Sequence, residues 1–163
     1  MAALVDYFLK VDGVEGESTD DKHKAEIELE SFSFGGTNAG SFSSGAGGGT
    51  GKVALQDFHF VKKCDKASPK LFVACATGEH IKMATLTCRK AGKDQQEFLV
   101  IKLSPILVSS YQNGGSAGSD VIPMEQISMN YAKIEMEYKE QKSDGSLGGS
   151  VIGGWDVTTN KKV

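Results

Sequence analysis

The residue types best suited to chemistry are three histidines (His23, His59, His80), three cysteines (Cys64, Cys75, Cys88) and a run of glutamates (Glu26, Glu28, Glu30). Structural zinc sites draw ligands in short pairs, because one tight turn must aim both donors at the metal. Here no histidine or cysteine has such a neighbour, so a metal site is not expected. The glutamates alternate with Ile27 and Leu29 on one strand face, which points to a solvated or inter-subunit surface before acid–base catalysis. Gly114–Gly118, GGSAG, matches the G-x-S-x-G nucleophile elbow. That elbow requires a helix directly after the serine and a later histidine; a strand-like stretch follows instead, and no histidine lies beyond His80. GAGGGTGKV, around Gly51 and Lys52, imitates a phosphate loop, but Ala46 stands where its first glycine belongs and Val53 replaces the magnesium-binding hydroxyl. A strand follows this motif too, so no helix N-terminus receives the phosphate. GGSAGSDVI approaches a calcium-binding nonapeptide one residue out of register, and occurs once where that motif works as a stack. None of these constellations makes an enzyme.

The elements that would position these residues are mostly strands. Val5 to Val11 alternate as a first strand, and a polar loop runs from Gly13 to Lys24. Ile27 and Leu29 then share one parity while Phe32 and Phe34 take the other, which predicts a β-bulge near Glu30 or Ser31. Gly35 to Gly51 is a glycine-rich loop carrying one aromatic, Phe42; its length marks either disorder or, as the favoured reading, a binding loop that orders against a partner surface. Lys52 to Val61 forms the next strand. Ser68 to Thr77 is the one segment with helical pattern: Ser68 suits an N-cap, Pro69 the first turn and Gly78 a left-handed C-terminus. Met83–Arg89 and Phe98–Leu103 form a hairpin; Pro105 interrupts the ladder before Ile106–Tyr111. Gln126 to Tyr138 changes parity midway, as a strand turning a barrel corner does. A turn at Ser143–Gly149 leads to a last strand around Trp155. Some nine short strands with glycine turns predict an antiparallel barrel with the helix covering one side.

A chain of 163 residues suits one domain. A net charge of −3 leaves no electrostatic footprint for nucleic acid or anionic membrane. Three unpaired-looking cysteines suit reduced thiols buried as small apolar groups. No run approaches the length needed to span a bilayer, and the first residues, MAALVDYFLKVDG, lack the basic and apolar regions of a signal peptide.

DYFLKVDGVEGESTDDKHKAEIEL (6–29), GKVALQDFHFVKKCDKASPKLFVACATGEHIKMATLTCRKAGKDQQEFLVIKLSPILVSSY (51–111) and GGWDVTTNKK (153–162) closely resemble the Hcp family, the haemolysin-coregulated proteins of bacterial type VI secretion systems. The resemblance runs through the whole chain in order and rests on no single motif. It implies a mainly β fold: an antiparallel β-barrel of two packed sheets, one short flanking α-helix at about Ser68–Thr77 and the long glycine-rich loop, all in a single domain over 1–163. It also implies a structural protein with no catalytic residues, cofactor or metal. Six copies would close into a homohexameric ring with a wide channel. Rings would stack into an inner tube that contractile sheath proteins propel behind a VgrG spike, and the channel could carry small secreted effectors. By analogy, 35–51 reaches from one ring to the next through Thr37, Asn38, Ser41 and Phe42, and the family pattern places Ser33 on the channel wall. Such a protein resides in the cytoplasm before firing and is then exported folded to the medium or a target cell, without a cleaved signal peptide or membrane insertion. Ending at Val163 with no appended toxin domain, it would take its effectors as separate cargo. The alternatives are a monomeric barrel that binds a small ligand, which needs an apolar cavity, and a secreted effector enzyme, which needs a catalytic cluster.

Overall fold

The computed structural model describes residues 4–40, 52–91, 95–118 and 122–163. The chain order is β1 (Val5–Val11), β2 (Ile27–Glu28), β3 (Ser31–Ser33), β4 (Gly36–Asn38), β5 (Val53–Leu55), β6 (Phe58–Lys63), α1 (Ser68–Thr77), β7 (Ala84–Lys90), β8 (Glu97–Gly114), β9 (Met124–Gln141), β10 (Leu147–Asp156) and β11 (Lys161–Lys162). All strand pairs are antiparallel. The fold is mainly β with one short helix, as expected.

One continuous nine-stranded sheet runs β11-β10-β9-β8-β7-β1-β2 with β3 on β6 and β6 on β9, beside the small β4–β5 ribbon. No ladder of named strands closes this sheet. The chain itself spans the gap: Leu29 N–H donates to Tyr7 O and the next amide, Glu30 N–H, to Val61 O. The parity change there is therefore not a bulge. It is a corner at which the chain leaves β1 for β6, and a change of partner needs the same one-residue flip that a bulge supplies.

Two strands of 18 residues bind the molecule together. β9 pairs with β8 along its length, while its other edge serves β6 over Met124–Met129 and β10 over Lys133–Gln141. The expected change of parity in β9 sits where these two neighbours hand over. β8 runs straight through Pro105, which lies between its last β7 pair, at Leu103, and the Ile81–Ile106 bridge. The sequence reading split this strand because proline lacks a ladder donor; the handover from β7 to Ile81 is where that loss is tolerated.

Phe58, Phe60, Leu9, Leu86, Ile101 and Met129 fill the interior, each at most 1% exposed. α1 lies over β8 and contributes Leu71 and Ala74. Its C-terminus closes on Gly78 at φ 69°, with the Gly78 N–H on Ala74 O. Its N-terminus differs from expectation: Ala67 is the cap position, and Ser68 is the first helical residue with its hydroxyl turned inward. Asp65 accepts from the Ala67 amide at 2.9 Å in the turn before the helix, and no side chain caps the helix N-terminus.

Candidate functional site

Ser33 is exposed on β3 between half-buried Phe32 and Phe34, both of which stack on Phe58. Directly opposed residues in an antiparallel ladder share a face. Ser33 pairs with His59, His59 with Ser128 and Ser128 with Ser110, so these four form one row across β3, β6, β9 and β8. Ser31, Gln126 and Gln112 lie on the same face one row along, and Ser33, His59, Gln126, Ser110 and Gln112 are exposed. Ser128 Oγ bonds Ser109 Oγ at 2.8 Å, Ser109 donates to Asp57 at 2.6 Å and Asn130 reaches the other Asp57 oxygen at 2.9 Å. The result is a hydroxyl- and amide-bearing wall with little net charge.

Thr37 and Asn38 are exposed on β4, paired with Ala54 and Val53 of β5. The glycine-rich segment thus starts as an ordered two-stranded ribbon, shorter than the open loop expected. Ser41 and Phe42 fall outside the described residues.

A third surface went unnoticed in the sequence. The interior face of the sheet runs in rows: Tyr7, Cys88, Leu99, Tyr138, Val151 and, beside it, Leu9, Leu86, Ile101, Met136, Gly153. Leu9, Leu86 and Ile101 are sealed, yet Met136 is 41% and Tyr138 48% exposed, and Val151 reaches 71%. The β9–β10 arm therefore carries the core face of the sheet out past the layer that covers it. Beyond Trp155 and Asp156, which meet β11, the outer edge of β10 has no strand partner among the described residues, and LGGSVIG (147–153) has no charge or proline to guard it. An edge of this kind is a template for another chain. The one available signal was the alternation through Tyr138, which in sequence reads equally as a barrel corner.

The groups singled out for chemistry are dispersed. Glu28 and Glu30 are exposed, as a solvated face requires, but Glu26 turns in to His23. His59 lies on the polar wall and His80 follows the helix. Ser116 lies in an exposed turn after β8, with no helix following among the described residues. Cys88 is buried, and desolvation pushes its thiol up to about 12; Cys64 and Cys75 are half-buried free thiols.

One arrangement does resemble an activated nucleophile. Lys62 Nζ lies 3.0 Å from Ser68 Oγ, 3.1 Å from Glu125 Oε1 and 2.7 Å from Asp65 Oδ1. Ser68 also hydrogen-bonds Glu125. The Lys62 and Glu125 side chains are wholly buried, so no substrate can reach the serine. The group pins α1 to β6 and β9.

A family model described as type VI secretion system effector, Hcp, matches residues 8–138. The chain is 44% identical over 158 residues to Protein hcp1 of Pseudomonas aeruginosa, covering 96% of this chain and 97% of that protein. A solved structure described as a type six secretion system protein superposes with a TM-score of 0.92 at 37% identity, covering 97% of this chain and 99% of that one. Hcp1 from Salmonella typhimurium superposes with a TM-score of 0.84 at 34% identity, covering 99% and 100%.

Proposed function

Because this chain belongs to the Hcp family of type VI secretion proteins, we propose that it is a tube subunit, with a structural and not a catalytic role. Six copies close into a ring, rings stack, and the tube is fired from the cytoplasm with its cargo inside. The observation that carries this reading is the apolar face that continues past the barrel onto Met136, Tyr138 and Val151. A lone chain gains nothing by leaving that face wet, and a cyclic ring lets each copy cover its neighbour's arm.

The other assignments follow from placement. The neutral wall around Ser33 suits the channel side, where hydroxyls and amides hold varied effectors by hydrogen bonds without committing to one charge. The β4–β5 ribbon, with Thr37 and Asn38 exposed, would meet the next ring. The tube ends would meet a VgrG spike and the outer surface a contractile sheath. The packed interior speaks against the ligand-binding barrel, whose cavity would need the space that Phe58, Phe60 and Met129 occupy.

Molar mass by light scattering, across a range of concentrations, with negative-stain images, tests the reading. Mass near six protomers with rings in the images supports it; a monomer even at high concentration overturns it. Shortening 41–50 should then leave rings but abolish stacks. Ser33→Gln should lower effector retention at constant ring mass, and unchanged retention would remove Ser33 from the channel wall.

A further inference from the structure

The segment 13–26, read from the sequence as a polar loop over 13–24 followed by the start of a strand, is fastened across the outer face of the sheet. Its own backbone is tied by Gly16 N–H to Ala25 O and Ala25 N–H to Ser18 O. A Cβ on Gly16 would come within 2.4 Å of Glu26 O, so only glycine permits this closeness. His23, 6% exposed, stacks on Phe8 of β1 with ring centroids 4.4 Å apart and planes 8° apart. Its Nδ1 lies 3.0 Å from both oxygens of Glu26, and its Nε2 lies 2.7 Å from Glu97 of β8.

Carboxylates only accept hydrogen bonds, and a neutral imidazole has one N–H to give. With both ring nitrogens against carboxylates, the geometry is satisfied when both donate. We propose that segment 13–26 is a proton-operated latch: His23, as an imidazolium donating to Glu26 and Glu97 together, locks the segment onto β8, and loss of one proton releases it. The charged and titratable groups facing this site are Glu26 and Asp20 from the segment, Glu97 from β8, Arg89 from β7 and Asp6 from β1. Glu97 is the partner that lets go, since its side chain is 39% exposed and it is distant in sequence, whereas Glu26 is three residues from His23 and 15% exposed.

The remaining fastening does not respond in the same range. Arg89 donates to both Asp20 oxygens, at 2.9 and 2.7 Å, and holds that carboxyl down to about 2. That link stays ionised around neutrality and acts as a hinge while the His23 end moves. Release would lift the His23 ring off Phe8 while Arg89, 4.7 Å from the Phe8 ring centre, stays in place over it.

Hydrogen–deuterium exchange on the intact chain tests the latch, at about pH 5.5 and about pH 8.5, either side of the ordinary histidine range, after correction for intrinsic exchange. Protection of 13–26 should fall several-fold at the higher pH in the wild type. Glu97→Gln should exchange at the lower pH as the wild type does at the higher. His23→Gln should show low protection at both. In the wild type, long-range proton–nitrogen spectra should show both His23 ring nitrogens protonated in the locked form. Equal corrected protection at both pH values, or a neutral tautomer of His23 at the lower pH, overturns the proposal without recourse to any variant.

Discussion

Leu86 and Met136 lie two strands apart on the same face of one sheet, and they meet opposite fates. Leu86, between Leu9 and Ile101, is sealed; Met136, between Ile101 and Gly153, is 41% exposed. Both obey the same period-two alternation, which fixes the face of a strand to which a side chain points and nothing more. Burial needs a second layer. Leu9, Leu86 and Ile101 share one core cluster with Phe58 and Phe60 of β6; across the β9–β10 arm the described residues supply no such cover. A fully buried Val or Leu side chain is worth about 1.5–3 kcal/mol over an exposed one, so the arm holds several such increments unused in a single copy. The barrel is stabilised by its own chain, and the proposed ring would cover the arm.

That contrast predicts the largest effect inside the barrel. Phe58→Ala should cost about 3–5 kcal/mol, because a large aromatic leaves a cavity against Phe32, Phe34 and Phe60. The loss should appear in urea denaturation at every protein concentration. Next in size is the buried ion pair. Lys62→Met strands Glu125, whose second carboxylate oxygen already lacks a partner, and should cost about 3 kcal/mol. Lys62→Met with Glu125→Leu should recover most of that in the same assay, since a matched apolar pair removes the stranded charge.

The arm should behave in the opposite way. Val151→Asp changes a residue 71% exposed, and should leave the stability of dilute monomer within about 0.5 kcal/mol. It should nevertheless lower the solution mass from ring to monomer at concentrations where the wild type assembles. A cost comparable to that of Phe58→Ala would mean that the arm is core after all, and the contrast would collapse.

Much of the barrel was legible because its signals are local. β1, the helix span, Gly78 as its terminator and the hairpin of β7 and β8 each rest on alternation, proline and glycine within a few residues. What stayed hidden depends on partners far along the chain. Ser68 looked like an N-cap because serine caps helices; a buried lysine from β6 and a glutamate from β9 claimed its hydroxyl, and the helix starts without a side-chain cap. The corner at Leu29–Glu30 and a bulge leave the same mark in sequence, and only the identity of the neighbours separates them. Pro105 looked like a break because the sequence does not show that β8 changes neighbour there. The polar loop 13–26 gave no sign of Arg89, 69 residues beyond Asp20. Ser33, Thr37 and Asn38 came from the family pattern, and their exposure alone assigns them no role.

The fastening of that loop gives a stability effect smaller than that of either core change and a third kind of surface, neither core nor arm. Asp20 is held near 2 in the folded chain, chiefly by the Arg89 hydrogen bonds, below the ordinary unfolded value of about 3.9. A group depressed on folding stabilises above its unfolded value, and the contribution fades as pH falls through the folded one. With the Asp20 side chain 18% exposed, the contribution is about 1–2 kcal/mol after allowance for solvent screening. Asp20→Asn keeps the shape and one acceptor but removes the charge, so it should be less stable than the wild type at about pH 5 by that amount. As the pH drops from about 4 to about 2, the wild type should lose this advantage and the two urea midpoints should converge. Parallel midpoints over the same range would mean that Arg89 contributes by covering Phe8, 4.7 Å from its ring centre, and not by its charge on Asp20. The segment would then belong with the barrel, held by packing, and the difference between core and latch would disappear.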